Sequence, residues 1–178
     1  MVLIECLHHE ICDSDKQSII MLIRHTWPPK EGSVITMEDD KRKFFGSEPD
    51  ERHIIIKSDN KIAGYAKTFT RGIQIGDKNI HNCALACVCV HENFRNNGFG
   101  KLIVQKALSV VDSNQYECSL FQTAVPEFYE KIGAKRILNK CIVSESNSEN
   151  PWWDPYLIIY PKNFILEEEV IVLMGRGY

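Results

Sequence analysis

No stretch of this chain reaches the roughly 18 consecutive apolar residues that a membrane-crossing helix needs. There is no basic run either. Lys and Arg number 21 against 24 Asp and Glu, for a net charge of −3, and that balance argues against a nucleic-acid surface. The opening MVLIECLHHEICDSD lacks the charged start and long apolar core of a secretion signal. The seven cysteines are odd in number, without the spacing of a disulfide framework. Reduced thiols are therefore expected, in the cytoplasm with the nucleus also open. None of those cysteines sits in a recognisable nucleophile motif, and no internal repeat is visible. At 178 residues the chain has the length of one domain with a good core, spanning 1–178.

The most informative stretch runs from His81 to Val111. Ala84 to Val90 is an apolar run of strand length. A polar turn follows, His91-Glu92-Asn93-Phe94-Arg95-Asn96-Asn97-Gly98-Phe99-Gly100. Apolar residues then recur at Leu102, Ile103, Val104, Ala107, Leu108, Val110 and Val111, which is helical spacing. Strand, glycine turn and helix together form a site for phosphate. The turn folds tightly, and the first N–H groups of the helix lack internal partners and sit at the positive end of its dipole. A Walker loop is excluded, because Arg95 stands where the first glycine belongs and Leu102 follows Gly100-Lys101. A dinucleotide fingerprint needs three glycines, and only Gly98 and Gly100 are present. What remains is Arg-x-x-Gly-x-Gly over Arg95 to Gly100.

Elsewhere the pattern predicts a helix over Ser14–Thr26 with Ser14 or Asp13 as its cap, stopped by Trp27-Pro28-Pro29. A second short helix is predicted over Met37–Phe45. The runs 53–57 and 61–69, joined by Ser58-Asp59-Asn60, read as a hairpin. Gly64 within it signals a bulge or close packing. A strand to Ile75, a turn at 76–79 and the strand beginning near Ile80 complete a meander. Beyond the glycine turn and its helix come a strand at Tyr116–Phe121 and a helix over 125–134. Thr123 is a candidate cap for that helix, Pro126 lies in its first turn, and Gly133 ends it. Strands are predicted at 135–143, 156–160 and 170–174, with a polar loop at 144–150. The order predicts a mixed α+β fold around one central sheet.

His81, Cys83, Cys87, Cys89 and His91 all carry odd numbers, which puts them on one face of an ideal strand. A metal site does not follow. Alternate strand residues stand about 6.5–7 Å apart, and a flat row cannot converge on one tetrahedral ion. The cysteines are expected as small buried hydrophobes.

Arg95–Gly100 resembles the acetyl-CoA pyrophosphate loop of the GCN5-related N-acetyltransferases. A second feature, Phe128-Tyr129-Glu130-Lys131-Ile132-Gly133-Ala134, begins 28 residues after Gly100 and resembles the segment that family carries on the helix after its fifth strand. The resemblance covers roughly residues 50–140. Within the family, Gly76 to Ala134 looks most like aminoglycoside 2′-N-acetyltransferases. It implies a mostly antiparallel central sheet, splayed at the coenzyme site and flanked by about four helices, with the first two helices bordering the acceptor cleft. The backbone of Val88, Cys89 and Val90 would pair with the pantetheine arm. The N–H groups of Asn96, Asn97, Gly98, Phe99, Gly100 and Lys101 would hold the pyrophosphate, with Arg95 bracing the loop. Gln122 would touch the cofactor, and Tyr129 would protonate the leaving thiolate.

The implied reaction is N-acetylation of a primary amine of a small molecule or peptide, by direct attack on acetyl-CoA, with no metal. A catalytically impaired CoA-binding module is the alternative. A primary amine with pKa near 10 must lose a proton before it attacks, and a phenol of similar pKa suits the leaving thiolate. The sequence departs from the family at the base, where several relatives carry a strand Glu and this chain has Cys87. His81, His91 and Glu92 are the substitutes the sequence offers. Glu92, Glu127 and Asp154 would suit a cationic acceptor. Trp152-Trp153 leaves two readings open, a pocket wall or the seal of a homodimer.

Overall fold

In the computed structural model, residues 1–144 and 152–178 are described. Most of the loop expected at 144–150 thus lies outside the described residues. Contacts divide the chain into two compact units, Met1–Phe69 with Cys87–Ala107, and Thr70–Ala86 with Leu108–Tyr178.

The first unit holds β1 (Val2–Leu7), α1 (Asp13–Thr26), α2 (Met37–Phe44), β2 (Arg52–Ser58) and β3 (Lys61–Thr70). The far part of β6 (Cys83–Val90) and the start of α3 (Phe99–Asp112) belong to it as well. Its sheet runs β1-β2-β3-β6, so β6 is an edge strand. The i, i+3, i+4 stripe of α1 explains its docking. Ile19, Ile20, Leu22 and Ile23 are buried and meet Phe44, Phe45, Ile55, Tyr65 and Cys89 in one core. The cap of α1 is Cys12, and Asp13 and Asp15 fall in the first turn, where carboxylates suit the helix dipole. At α2, Thr36 accepts from the Asp39 N–H at 3.1 Å, and the Asp39 carboxylate accepts the Thr36 N–H at 2.9 Å, which closes a capping box.

The β2–β3 turn carries Asp59 at φ 51° and Asn60 at φ 59°, the left-handed pair that suits a tight hairpin. Gly64 resolves into both of its expected readings. Ile56 pairs with Gly64 and Lys57 with Ile62, so Ala63 is an inserted bulge residue. A Cβ on Gly64 would stand 2.6 Å from Ile103 Cδ1 on α3.

The second unit holds β4 (Ile73–Ile75), β5 (Lys78–Ile80), β7 (Ser119–Thr123), α4 (Pro126–Glu130), β8 (Lys135–Ile137), β9 (Lys140–Val143), β10 (Tyr156–Tyr160) and β11 (Val170–Leu173). Two sheets form, β7-β10-β8 and β5-β4-β11-β9, with β9 and β11 parallel and the other pairs antiparallel. The strands expected in one sheet thus pair as three groups.

One strand is added and three local expectations change. β1 reads as a strand only once β2 is available to pair with it along its whole length. The strand expected at 116–121 begins at Ser119, because the Tyr116 ring stacks on His81 at 4.3 Å and Cys118 forms a lone parallel bridge to Asn82. The 135–143 strand breaks at the exposed Leu138, and its halves join different sheets. The helix expected over 125–134 keeps only Pro126–Glu130 and then turns to Gly133 at φ 106°. Thr123 Oγ1 accepts the Val125 N–H at 3.1 Å, holding the approach to that helix from the end of β7.

Candidate active site

β6 does not keep the alternation of an ideal strand. Cys87 sits at φ 56°, a left-handed conformation uncommon for any residue but glycine. His81 lies outside the strand altogether. The five odd-numbered residues therefore do not form one row, and among the described residues no group of three His, Cys, Asp or Glu side chains is arranged to hold a metal ion.

Beyond the kink, backbone direction follows from pairing. The His91 N–H donates to Ala63 O on β3 at 2.9 Å. Alternate residues point their backbone groups to opposite edges, so Cys89 also faces β3. Val88 and Val90 face the unpaired edge. The Val90 carbonyl there accepts Arg95 Nε at 3.2 Å, which braces the loop that follows.

That loop is shaped by left-handed backbone at Asn96 (φ 63°) and Gly98 (φ 77°). Asn97 Nδ2 donates back to the carbonyls of Phe94 and Arg95 at 3.3 and 3.2 Å. Phe94 stacks on Phe99 with ring centroids 6.2 Å apart. Among the described residues no acceptor meets the backbone N–H of residues 96–101, and the first bond into the helix is Leu102 N–H to Gly98 O at 3.1 Å. Six main-chain donors thus gather at the start of a 14-residue helix, where its dipole favours an anion.

A Cβ on Gly98 would meet nothing within 4 Å. Substitution there acts through backbone strain rather than crowding. Gly98→Val is expected to weaken CoA binding by about 1–2 kcal/mol, roughly 5–30-fold, while Gly98→Asn, which tolerates φ > 0, stays near wild type. Calorimetric titration of CoA into both variants checks this.

Gln122 and Tyr129 belong to the second unit. The Gln122 amide is engaged within the chain through both its nitrogen and its oxygen. Its Nε2 donates to the Tyr178 carbonyl, and its Oε1 accepts the N–H groups of Trp153 and Asp154 at 2.9 and 2.8 Å. Its observed work is to pin that segment. Tyr129 is buried on α4, with edge contacts to Phe121 and Phe128 at centroid distances of 4.8 and 4.9 Å.

The three substitutes for the strand carboxylate are engaged elsewhere. His81 is exposed, stacked on Tyr116, with Nδ1 3.0 Å from the Gln115 carbonyl oxygen. His91 Nδ1 accepts the Asn93 N–H at 3.2 Å, and its ring stacks on His25 beside a groove of about 590 Å³ between α1 and the start of β3. Glu92 is exposed, 3.7 Å from His25. Glu127 is paired with Arg136 at 3.0 Å. Asp154 and the buried Trp152 border a cavity of about 380 Å³, whereas Trp153 is 70% exposed. Burial raises the Asp154 pKa.

The sequence reasoning missed a buried polar group in the first unit: Glu51, His53, Tyr65 and Lys67. Its signal was present as charged residues at inward positions of apolar strands.

Fold and site together define an acyl-CoA-dependent transferase, with an edge strand, a kink and a helix-capping anion loop in succession. The acetyltransferase (GNAT) family model matches residues 18–134, and the chain belongs to that family. It is an N-acetyltransferase with acetyl-CoA as co-substrate. Solved structures similar in fold include ElaA from Escherichia coli, at 15% identity and TM-score 0.59, covering 89% of this chain and 97% of that one. YhbS from Escherichia coli, a GNAT family N-acetyltransferase in complex with CoA, is 13% identical with TM-score 0.60, covering 98% and 94%. Glucosamine-6-phosphate N-acetyltransferase from Arabidopsis thaliana is 20% identical with TM-score 0.57, covering 86% and 100%. No curated protein sequence matches the chain significantly.

Proposed function

We propose that the chain transfers the acetyl group of acetyl-CoA to a primary amine by direct attack. The observation that carries this reading is the run of N–H groups at residues 96–101, without an acceptor among the described residues, which begins six residues after Val90 and eight after Val88, the free-edge positions on the same chain path. In this reading the pyrophosphate takes the loop donors, and the pantetheine amides pair with Val88 and Val90 as an added strand. The backbone of Cys89 serves β3, and Gln122 is a strut rather than a cofactor contact. The kink at Cys87 breaks the ladder and frees strand N–H groups for the oxyanion that forms on attack. Tyr129 donates the proton to the departing thiolate, a role supported by its match to the family segment.

The finer likeness to aminoglycoside 2′-N-acetyltransferases is part of this proposal, resting on Gly76–Ala134. So is a reducing compartment, cytoplasmic or nuclear, which the seven cysteines, none of them in a disulfide, support. Among the described residues no helix is long and apolar enough to cross a membrane.

Tyr129→Phe is expected to lower turnover about 100-fold, the scale of a lost general acid, while CoA affinity stays within about twofold. Steady-state kinetics with parallel CoA titration checks it, and equal loss of both quantities would contradict the assigned role. The rival reading, a CoA-binding module without catalysis, draws on Cys87 in place of a strand Glu. CoA binding without acetyl transfer to any amine in a panel would favour it.

A further inference from the structure

The anion loop is entered through one short helical turn, Glu92–Phe94, and His91 holds that turn to the sheet. The His91 N–H donates to Ala63 O on β3 at 2.9 Å, and its carbonyl accepts the Phe94 N–H at 2.8 Å. Its side chain caps the turn, with Nδ1 accepting the Asn93 N–H at 3.2 Å. A ring nitrogen that accepts carries no proton, so the imidazole is neutral with its hydrogen on Nε2. The same ring meets Phe94 edge-on at 5.9 Å, and Phe94 stacks on Phe99, the first residue of α3, at 6.2 Å. One imidazole is thus linked through two rings to the start of the helix that carries the loop donors.

Solvent reaches this ring. His91 is partly exposed and borders the groove of about 590 Å³, which Asn93 and Phe94 also line. Each element packed there contributes charged or titratable groups. From α1 come His25, whose ring stacks on His91 at 6.2 Å with the planes 13° apart, and Asp15, which is paired with Lys57 of β2. Lys61 comes from the start of β3. The turn itself supplies Glu92, 3.7 Å from His25 Nε2, and Arg95 beyond it is bonded to the Val90 carbonyl. A second proton on His91 would turn Nδ1 from acceptor to donor in front of the Asn93 N–H. The capping bond is then lost, and the ring must rotate away from Phe94 and His25.

We propose that His91 is the positioning residue of the CoA loop, and that CoA binds more tightly when His91 is neutral and caps the turn. The inference rests on the transferase reading above, which gives the pyrophosphate to this loop. His91 touches no ligand and acts through the turn. Protonation has two opposed effects. An added positive charge attracts the pyrophosphate, whereas loss of the cap lets the donors spread. Glu92 offsets much of that charge and solvent screens it, so the loss of the cap dominates.

The test is calorimetric titration of dephospho-CoA into the full chain from about pH 8 to about pH 5.5, within the span where imidazole changes charge. Dephospho-CoA is used because a phosphate monoester such as the 3′-phosphate of CoA itself titrates at about pH 6. The fold has an acid sensitivity of its own, through a buried series in which Glu51 Oε1 lies 3.0 Å from His53 Nε2 and His53 Nδ1 lies 2.7 Å from the Tyr65 hydroxyl. Burial lowers the His53 pKa against the pull of Glu51. Burial pushes the Glu51 carboxyl up, but the bonds from His53 and the Gly46 N–H and the charge of Lys67 outweigh it and hold it at about 2. Titrations are therefore confined to pH values at which a melt shows the chain folded.

Wild-type affinity is expected to be full at the alkaline end and to fall about fivefold toward the acid end, the scale of a lost N-cap. His91→Ala is expected to bind about fivefold more weakly at the alkaline end and to show no decline with pH. His91→Asn offers an oxygen to the same N–H and does not titrate, so it recovers most of that loss and stays flat to the acid end. If His91→Ala melts below the assay temperature, wild type against His91→Asn carries the test. Wild-type affinity that is flat, or that rises toward acid pH, overturns the proposal. So does a His91→Asn variant that keeps the wild-type decline, which would assign the titration to His25 or another group. If the wild type binds neither CoA nor dephospho-CoA at the alkaline end, the transferase reading itself fails and takes this inference with it.

Discussion

Glu51→Ala is expected to destabilise the fold by about 3–5 kcal/mol, the scale of breaking a buried ion pair by removing one member. The carboxylate is 1% exposed and is met by the His53 ring, the Lys67 ammonium, the Ser47 hydroxyl and the N–H groups of Gly46 and Glu48. Truncation leaves Lys67 buried against Phe44 O at 3.3 Å, Ser47 Oγ at 3.2 Å and the Phe69 ring, with no carboxylate to balance its charge among these contacts, and it loosens the 45–51 segment between α2 and β2. Denaturant melts of both proteins measure the difference. The same group makes the wild type acid-sensitive. The folded carboxyl titrates at about 2 against an ordinary 4.5, so its contribution is complete above pH 4.5 and is lost as pH falls toward 2. His53, also lowered, acts with the same sign, and the decline begins near its ordinary 6.5. Glu51→Gln should flatten the lower part of that decline; an unchanged acid profile would count against the pairing.

Gly64→Val is expected to cost about 3 kcal/mol, the upper range for overpacking a filled core. A bare Cβ would already sit 2.6 Å from Ile103 Cδ1, 3.2 Å from the Cys89 carbonyl and 3.4 Å from Val90 Cγ2. Ile103 is fully buried and has no room to withdraw, and the Cys89 carbonyl is held in the β3–β6 ladder. Relief requires α3 to move away from the sheet. Because α3 begins directly after the glycine loop, CoA affinity should fall together with the melting temperature. A lower melting temperature with unaltered CoA affinity would show that loop and helix packing are independent.

Local pattern carried much of the architecture. The α1 stripe, the Asp59-Asn60 turn, the Gly64 irregularity and the glycine-turn helix are each written in a few neighbouring residues. Features set by distant partners were not legible. β1 depends on β2, some fifty residues on. The late start of β7 depends on Asn82, whose Oδ1 accepts the Leu120 N–H at 2.6 Å. Cys87 is an ordinary residue in an apolar run, and no composition rule marks it as left-handed, so a smooth strand face was inferred where the chain kinks. The anion loop was legible because Asn96 and Gly98 are residue types that admit such backbone. The Glu51–His53–Tyr65 series was not, because its members are joined across strands and look like isolated polar residues in sequence. Gln122 shows the converse. Its residue type suggested a ligand contact, and its amide is used to tie down Trp153, Asp154 and Tyr178.

Of the seven thiols, all among the described residues, only Cys12 is exposed; Cys83, Cys89, Cys118 and Cys141 are buried, and Cys6 and Cys87 are partly covered. The chain therefore carries a natural attachment point at the mouth of α1. A maleimide dye applied to the native protein should couple there first, giving a fluorescent reporter on the helix that borders the proposed acceptor side without any engineered substitution.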